Sequence, residues 1–301
     1  MLRYLTRGLA GGLLALCLAI PTPAPARDQA PDLVGPMPEK PVANPDDLLI
    51  NRPAAAPSAP AGNATGGPAE ATLDTPSPAE VRNAQLQALL DQAMDLGAQD
   101  RGPEALELFD QAVRLGEGDP VTFFLRAREY SRQGDTEQAL LDYQRAVNLS
   151  PGQPEYLYAL GLALGGAERY DEAIKAFSQA LTLAPDALEI LQSRGELLAA
   201  SGNLDKALLD FRAMIEADPT YARGFILHGD ALAKLRRFPE AVADFSMALA
   251  LRPDDVNLLN LRGLVLLDAG DTPLACKDFK KSCDLGDCAM LGQLQPRGLC
   301  Q

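Results

Sequence analysis

Four cysteines lie close to the C-terminus of the 301-residue chain, where closely spaced thiols can bind metal, exchange disulfides or cross-link the backbone. They are Cys276, Cys283, Cys288 and Cys300. Zinc sites usually combine Cys-x2–4-Cys knuckles, whereas the intervening stretches here are six, four and eleven residues long. No Cys-x-x-Cys redox motif occurs. In an oxidising compartment, these residues would favour structural disulfides.

The N-terminus indicates such a compartment. Arg3 and Arg7 precede an apolar run over residues 8–20, and Ala24 and Ala26 form an Ala-x-Ala cleavage pattern. This arrangement is typical of a secretory signal peptide, so we predict cleavage near Ala26 and a periplasmic or secreted protein. The apolar run is shorter than the about 20 residues that cross a bilayer. We therefore expect no stable membrane insertion after cleavage.

Cys17 lies inside this predicted signal peptide and offers a rival interpretation, acylation of a bacterial lipoprotein. Lipoprotein signals resemble Leu-Ala-Gly-Cys, with a small residue directly before the cysteine, but Leu16 stands there. Removal of residues 1–26 would leave four cysteines, an even number that suits paired disulfides.

The single histidine, His228, is the side chain that would most suggest acid–base catalysis or metal binding. The sequence contains no second histidine, nucleophile elbow, zinc-protease motif or phosphate-binding loop. We therefore predict no enzyme activity, no cofactor and no metal site. The formal net charge of −14 also argues against a nucleic-acid partner, because phosphate binding needs clustered Lys and Arg.

Residues 27–80 are predicted to form a disordered linker. They are rich in Pro, Ala and Gly and contain almost no aromatic residues, so they cannot bury enough apolar area to offset the entropy of ordering. Frequent proline favours extended conformations. One apolar cluster, DDLLIN at residues 46–51, is either a docking peptide or an accidental grouping.

From about Leu86 onward the sequence repeats with a period of about 34 residues. The step relates columns of proline, of alanine, of aromatic residues, and of glycine or alanine. Members of these columns are Pro151, Pro185, Pro219 and Pro253; Ala105, Ala139, Ala173, Ala207, Ala241 and Ala275; Phe109, Tyr143, Phe177, Phe211, Phe245 and Phe279; and Ala93, Ala127, Gly161, Gly195, Gly229 and Gly263. Six units result: 86–119, 120–153, 154–187, 188–221, 222–255 and 256–289.

Each unit has two apolar stripes at helical spacing, separated by turn residues such as Gly134, Gly202 and Gly270. Small residues in the columns let the two helices approach closely. This pattern resembles the tetratricopeptide repeat family, and the resemblance covers about 204 residues. It implies an all-α, right-handed solenoid of helical hairpins over residues 81–289, with a C-terminal cap at residues 290–301.

A base in the first half of a unit recurs together with an acid in the second half, always at the same separation along the chain. In the third unit both positions are apolar, Leu160 and Ala176, and in the first both are uncharged. An unpaired charge near the packing face of two helices is costly, so joint presence and joint loss predict ion pairs between the helices of one unit. The predicted pairs are Arg126–Asp142, Arg194–Asp210, His228–Asp244 and Arg262–Asp278.

The family resemblance also implies a binding surface. Tetratricopeptide arrays usually hold peptides or partner proteins in a concave groove lined by the first helix of each unit. The positions of this sequence that match the groove are Phe124, Arg128, Tyr158, Gln192, Glu196, Asp230 and Asn260. The paired Lys and Asn residues with which some members hold a terminal carboxylate do not occur in these columns. The alternative is that these residues form a solvated inner face.

These observations predict a non-enzymatic scaffold of the cell envelope that binds a protein or peptide partner. Two alternatives remain at this point. One is a chaperone-like holder of extended clients in the periplasm, and the other is a thiol–disulfide active protein that uses the C-terminal cysteines.

The repeat register restricts how these cysteines pair. Cys276 and Cys283 occupy apolar columns on the helix face that would pack against a short following helix at about residues 288–294. Seven residues along a helix span about 10 Å, whereas a disulfide needs Cα atoms within about 7 Å. This excludes a 276–283 bond and leaves two frameworks. Nested Cys283–Cys288 and Cys276–Cys300 bonds are favoured over Cys276–Cys288 with Cys283–Cys300, and they would supplement the packing that a seventh unit would supply.

Overall fold

A computed structural model describes residues 76–116 and 118–300 of the chain. The predicted signal peptide and nearly all of the predicted linker lie outside the described residues. Within them the chain forms thirteen α-helices and no strand, which confirms the all-α fold. The helices are α1 (Pro78–Ala98), α2 (Gly102–Leu115), α3 (Pro120–Gln133), α4 (Thr136–Leu149), α5 (Pro154–Gly166), α6 (Tyr170–Leu183), α7 (Leu188–Ala200), α8 (Leu204–Ala217), α9 (Ala222–Lys234), α10 (Phe238–Leu251), α11 (Val256–Asp268), α12 (Thr272–Asp284) and α13 (Ala289–Leu294).

The first helix begins three residues inside the segment predicted as linker. Ser77 caps it: the Ser77 hydroxyl accepts from the backbone N–H of Glu80, and the Glu80 carboxylate accepts from the backbone N–H of Ser77. This reciprocal pairing, together with Pro78 at the first helical position, satisfies donors that would otherwise lack partners. The first described helix therefore begins at Pro78, within the segment predicted as linker.

Each unit contributes one antiparallel helix pair, from α1 and α2 to α11 and α12. The pair is tight because the aromatic column of the second helix fills the space left by glycine in the first. A Cβ added to Gly161 would lie 2.5 Å from the Phe177 ring, and one on Gly195 would lie 2.5 Å from the Phe211 ring. The alanine column, including Ala173 and Ala207, is fully buried.

The turn between the two helices always contains one residue in the left-handed region. In units one, three and five, hereafter the odd repeats, this residue is not glycine: Asp100, Glu168 and Arg236 have φ values of 60–61°. In units two, four and six, hereafter the even repeats, it is Gly134, Gly202 and Gly270, with φ values of 79–87°. The six positions are equivalent in the repeat register. The same type of turn therefore has a non-glycine residue in the odd repeats and glycine in the even repeats.

Successive units stack through the second helix of one and the first helix of the next. The first helices also touch one another directly, in the pairs α1–α3, α5–α7 and α7–α9. The first helices therefore lie on the inner side of the array and form its concave face. No helix within the described residues combines the length and apolar character needed to cross a membrane.

The last unit is covered by the short helix α13 and the tail that follows it. Cys276 is bonded to Cys300, with Cα atoms 5.0 Å apart, and Cys283 is bonded to Cys288, with Cα atoms 4.0 Å apart. This is the nested arrangement. The Cys276–Cys300 bond is buried in an apolar cluster with Phe279. Two disulfides and a small apolar cluster thus hold the cap against the last unit.

Candidate interaction surface

Three arginines, one in each even repeat, bind the two helices of their own unit and also the unit before it. Arg194 on α7 donates from Nε and Nη2 to the two oxygens of Asp210 on α8, at 2.9 and 2.6 Å. Its remaining nitrogen, Nη1, donates to the Ser178 hydroxyl of the preceding α6, at 2.9 Å. Asp210 is only 3% exposed, so this two-pronged contact neutralises a buried carboxylate while it ties three helices together.

The same geometry recurs in the second and sixth units. Arg126 donates to Asp142 at 2.6 and 3.0 Å, and Arg262 donates to Asp278 at 2.8 and 2.7 Å. Burial opposes protonation of Arg126, but hydrogen bonds to Asp142 and Asp110 outweigh it and raise the arginine's pKa. The Asp278 hydrogen bond likewise raises the pKa of Arg262. The carboxylates thus favour the charged form of Arg126 and Arg262.

The third partner of each arginine escaped the sequence analysis. Arg126 reaches back to Asp110 at 2.7 Å, and Arg262 reaches back to Ser246 at 2.9 Å. Each such partner precedes its arginine by the same interval at which the buried aspartate follows it. The arginines, the buried aspartates and these preceding polar residues all recur at every second unit. A comparison of alternate units would therefore have identified the third partners.

The odd repeats use this position differently. In the fifth unit the His228 Nδ1 atom lies 2.6 Å from the Asp244 carboxylate, on the helix pair α9 and α10. In the third unit Leu160 and Ala176 are both buried. The only histidine of the chain thus lies in a packing contact between two helices. Among the described residues, no cluster of three or more His, Cys, Asp or Glu side chains could hold a metal ion.

Two aromatic groove candidates prove to be core residues. Phe124 is 6% exposed, and its ring lies 4.8 Å from the Tyr156 ring of the next unit. Tyr158 is 1% exposed, and its hydroxyl lies 3.3 Å from the Ser193 hydroxyl. Burial raises the pKa of Tyr158. Both rings are therefore covered in this structure and do not line an open groove, because residues of the next first helix lie against them.

Arg128, the third candidate of the N-terminal half, is partly buried on α3. One turn further along that helix, Arg132 lies 2.6 Å from Glu129 and also donates to the Gly97 carbonyl of α1. Glu129 is 6% exposed. The contacts of Arg132 therefore join the first two units.

The accessible part of the concave face is polar and lies on the fourth to sixth units. Gln192 donates to Glu196 at 3.1 Å, and Arg223 of the next unit donates to the same Glu196 oxygen at 2.9 Å. The Tyr221 hydroxyl donates to Gln192 at 3.3 Å. Sequence analysis named Gln192 and Glu196 but missed the two residues that hold them. A preorganised network therefore crosses from one unit to the next.

The last two candidates have incomplete hydrogen bonding. Asp230 on α9 lies 2.9 Å from the Lys234 ammonium through Oδ2, and Asn260 on α11 donates from Nδ2 to Asp287 at 2.8 Å. In the described part of the chain, Oδ1 of Asp230 and Oδ1 of Asn260 are both buried without a hydrogen-bond partner. Most buried polar atoms are paired, so each of these two acceptors lacks a donor that a buried oxygen ordinarily has.

Three comparisons relate this architecture to known proteins. A family model described as tetratricopeptide repeat matches residues 90–154, 124–187, 158–222 and 226–287. Each match spans about two units, and together they cover well over half of the chain. No curated protein matches the sequence.

Solved structures share the fold at low identity. YrrB, described as a TPR protein with an unusual peptide-binding site, is 20% identical with a TM-score of 0.55; the match covers 63% of this chain and 97% of YrrB. MamA from Desulfovibrio magneticus RS-1 is 24% identical with a TM-score of 0.52, over 56% and 96% of the two chains. Pseudomonas aeruginosa pilF is 15% identical with a TM-score of 0.55, over 68% and 94%.

These identities show a common fold and nothing more specific. The family model, in contrast, matches the chain in the same repeat register as the helix pairs α1–α2 to α11–α12. Tetratricopeptide arrays bind proteins or peptides, and that is the class of function the fold supports. The chain belongs to the tetratricopeptide repeat family.

Proposed function

We propose that the protein is a non-enzymatic scaffold of the cell envelope, which binds an extended segment of a partner protein along its concave face. The observation that carries the proposal is the polar network that joins α7 to α9. Packing covers Phe124 and Tyr158, whereas Gln192, Glu196 and Arg223 are half-buried and remain partly open to a ligand. The bond from Arg223 to Glu196 joins two consecutive units, so the recognition groups are held in place before binding.

The envelope location rests on the N-terminal sequence. Arg3, Arg7, the apolar run at residues 8–20 and the Ala-x-Ala pattern are those of a signal peptide. The two disulfides fit an oxidising compartment. Cell fractionation with N-terminal sequencing of the mature protein tests this part, and a mature chain that starts at Met1 in the cytoplasm would contradict it.

Site-specific photo-cross-linking tests the concave face. A photoreactive residue replaces Gln192 on α7 or, as a matched control, the exposed Gln179 on α6. We expect one or two defined adducts in living cells from position 192 and none of these from position 179. Identical adducts from both positions would refute groove binding. A broad set of unfolded proteins trapped at position 192 would indicate a chaperone-like holder instead of a scaffold.

A further inference from the structure

Asp230 is a buried carboxylate whose pairing is incomplete. The residue is 8% exposed, and its Oδ2 atom lies 2.9 Å from the Lys234 ammonium. Within the described chain its other oxygen, Oδ1, has no hydrogen-bond partner. A buried acceptor without a donor destabilises the protein, so a donor supplied by a ligand would offset that cost.

The preceding unit shows what that donor is. Glu196 occupies the position equivalent to Asp230 one unit earlier, and it receives a hydrogen bond of 2.9 Å from the Arg223 guanidinium. The residue equivalent to Arg223 one unit later is Asn257, which is exposed. The same groove position therefore binds an arginine of the protein itself between units four and five, whereas that arginine is replaced between units five and six.

A second acceptor accompanies the first. Asn260 on the neighbouring first helix α11 uses its Nδ2 group on Asp287, at 2.8 Å, and keeps a buried Oδ1 that no described residue contacts through a hydrogen bond. In both groups the atom without a partner is a hydrogen-bond acceptor, and Asp230 also carries a negative charge. The matching ligand group is therefore rich in N–H donors and positively charged.

We propose that Asp230 binds an arginine side chain of the extended partner segment. A guanidinium presents several N–H donors in a rigid plane, so it can satisfy both oxygens of Asp230 at once. It would take the place that Arg223 takes one unit earlier. This inference rests on the proposed groove function and names the residue type that the groove selects.

Lys234 competes with the ligand at this site. Its side chain is 44% exposed and sits on a flexible stem, so its ammonium can leave Asp230 when a guanidinium arrives. Removal of the Lys234 amine should consequently favour the ligand. A purely structural role for the Asp230–Lys234 contact gives the opposite expectation, because loss of the lysine would then only weaken the helix.

Selection of random 12-residue peptides on the full mature protein tests the proposal. We expect selected peptides to be enriched in arginine, with one arginine whose replacement by alanine weakens binding. For the tightest such peptide, Asp230→Asn should weaken binding about ten-fold or more. Asn257→Arg should weaken it comparably, because an internal guanidinium then fills the site. Lys234→Ala should tighten binding several-fold.

The controls separate this inference from the proposed function. Glu216→Gln changes an exposed acid on α8 and should leave affinity unaltered. Suppose that arginine-free peptides are selected, compete with one another for the protein and bind the Gln192→Ala variant more weakly. This result would overturn the arginine site and leave groove binding intact. An unchanged affinity in both Asp230→Asn and Asn257→Arg would also overturn it. Recovery of no peptide at all would refute the groove function and the arginine site together.

Discussion

The odd and even repeats have the same backbone and different internal chemistry. In the fourth unit, Arg194 bridges Asp210 and the preceding Ser178, whereas the third unit places Leu160 and Ala176 at the equivalent positions. Both solutions fill the seam between two helices. The comparison teaches that the ionic clamp is not required for a unit to fold. The Arg194 clamp holds three helices with directional hydrogen bonds, whereas Leu160 and Ala176 contribute only apolar packing.

Removal of one member of a clamp should give the largest effect. Arg194→Leu leaves the buried Asp210 carboxylate without its guanidinium, and we expect a loss of about 2–3 kcal/mol, reduced from a fully buried pair because Arg194 is partly exposed. Urea unfolding measures the loss, and hydrogen exchange should place it on α7 and α8. Leu160→Ala, an apolar truncation in the odd repeat, is the comparison for simple loss of packing.

The double change Arg194→Leu with Asp210→Ala gives the fourth unit the residues of the third. We expect a cost of about 1 kcal/mol, smaller than that of either single change, because no buried charge is left unpaired. The same urea experiment provides the coupling energy. Additive single effects would show that the two side chains act independently and that the third unit is no guide to the fourth.

Exchange of the turn residues should have a smaller effect. Gly202→Ala places a Cβ at a φ of 79° and should cost about 1 kcal/mol. Glu168→Gly relieves the same strain at a φ of 60° and should stabilise by about 0.5 kcal/mol, since glycine also costs unfolded-state entropy. Thermal unfolding measures both. Equal effects of the same sign would mean that the turns of odd and even repeats are not equivalent.

The surface pairs of the odd repeats should have the smallest effect. Arg169 donates two hydrogen bonds of 2.7 Å to Glu172, which hold the pKa of that carboxyl below its usual value. A lowered folded pKa gives stability that is present above the unfolded pKa and is lost as the pH falls through the folded one. Because both groups are exposed, Glu172→Gln should leave the melting temperature at neutral pH and physiological salt unchanged within error. A resolvable decrease would show that the turn depends on this pair.

Much of the fold was readable from the sequence, because neighbouring units contain the same information. Six copies of one pattern reveal the helix pairs, and paired changes such as Leu160 with Ala176 reveal which columns touch. The exposure of Phe124 and Tyr158 was not readable. Both stand in a groove column, and whether a ring there is open or covered depends on how closely the next first helix approaches.

The start of the array and the arginine back-contacts were also partly hidden. The Ser77–Glu80 capping box is a local signal that was present in the sequence and was overlooked in the Pro-rich context. The contact of Arg126 with Asp110 joins different units, so comparison within a unit could not find it.

The sequence by itself determined the repeat length, the helical hairpins, the pairing of Arg194 with Asp210 and the range of cysteine pairings. These depend on local spacing and on residues that must match within one or two helices. Only the tertiary structure decided which groove residues remain accessible and which acceptors lack donors, as at Asp230. Those properties depend on small rotations between successive units, which add up along the array and are not encoded at any single position.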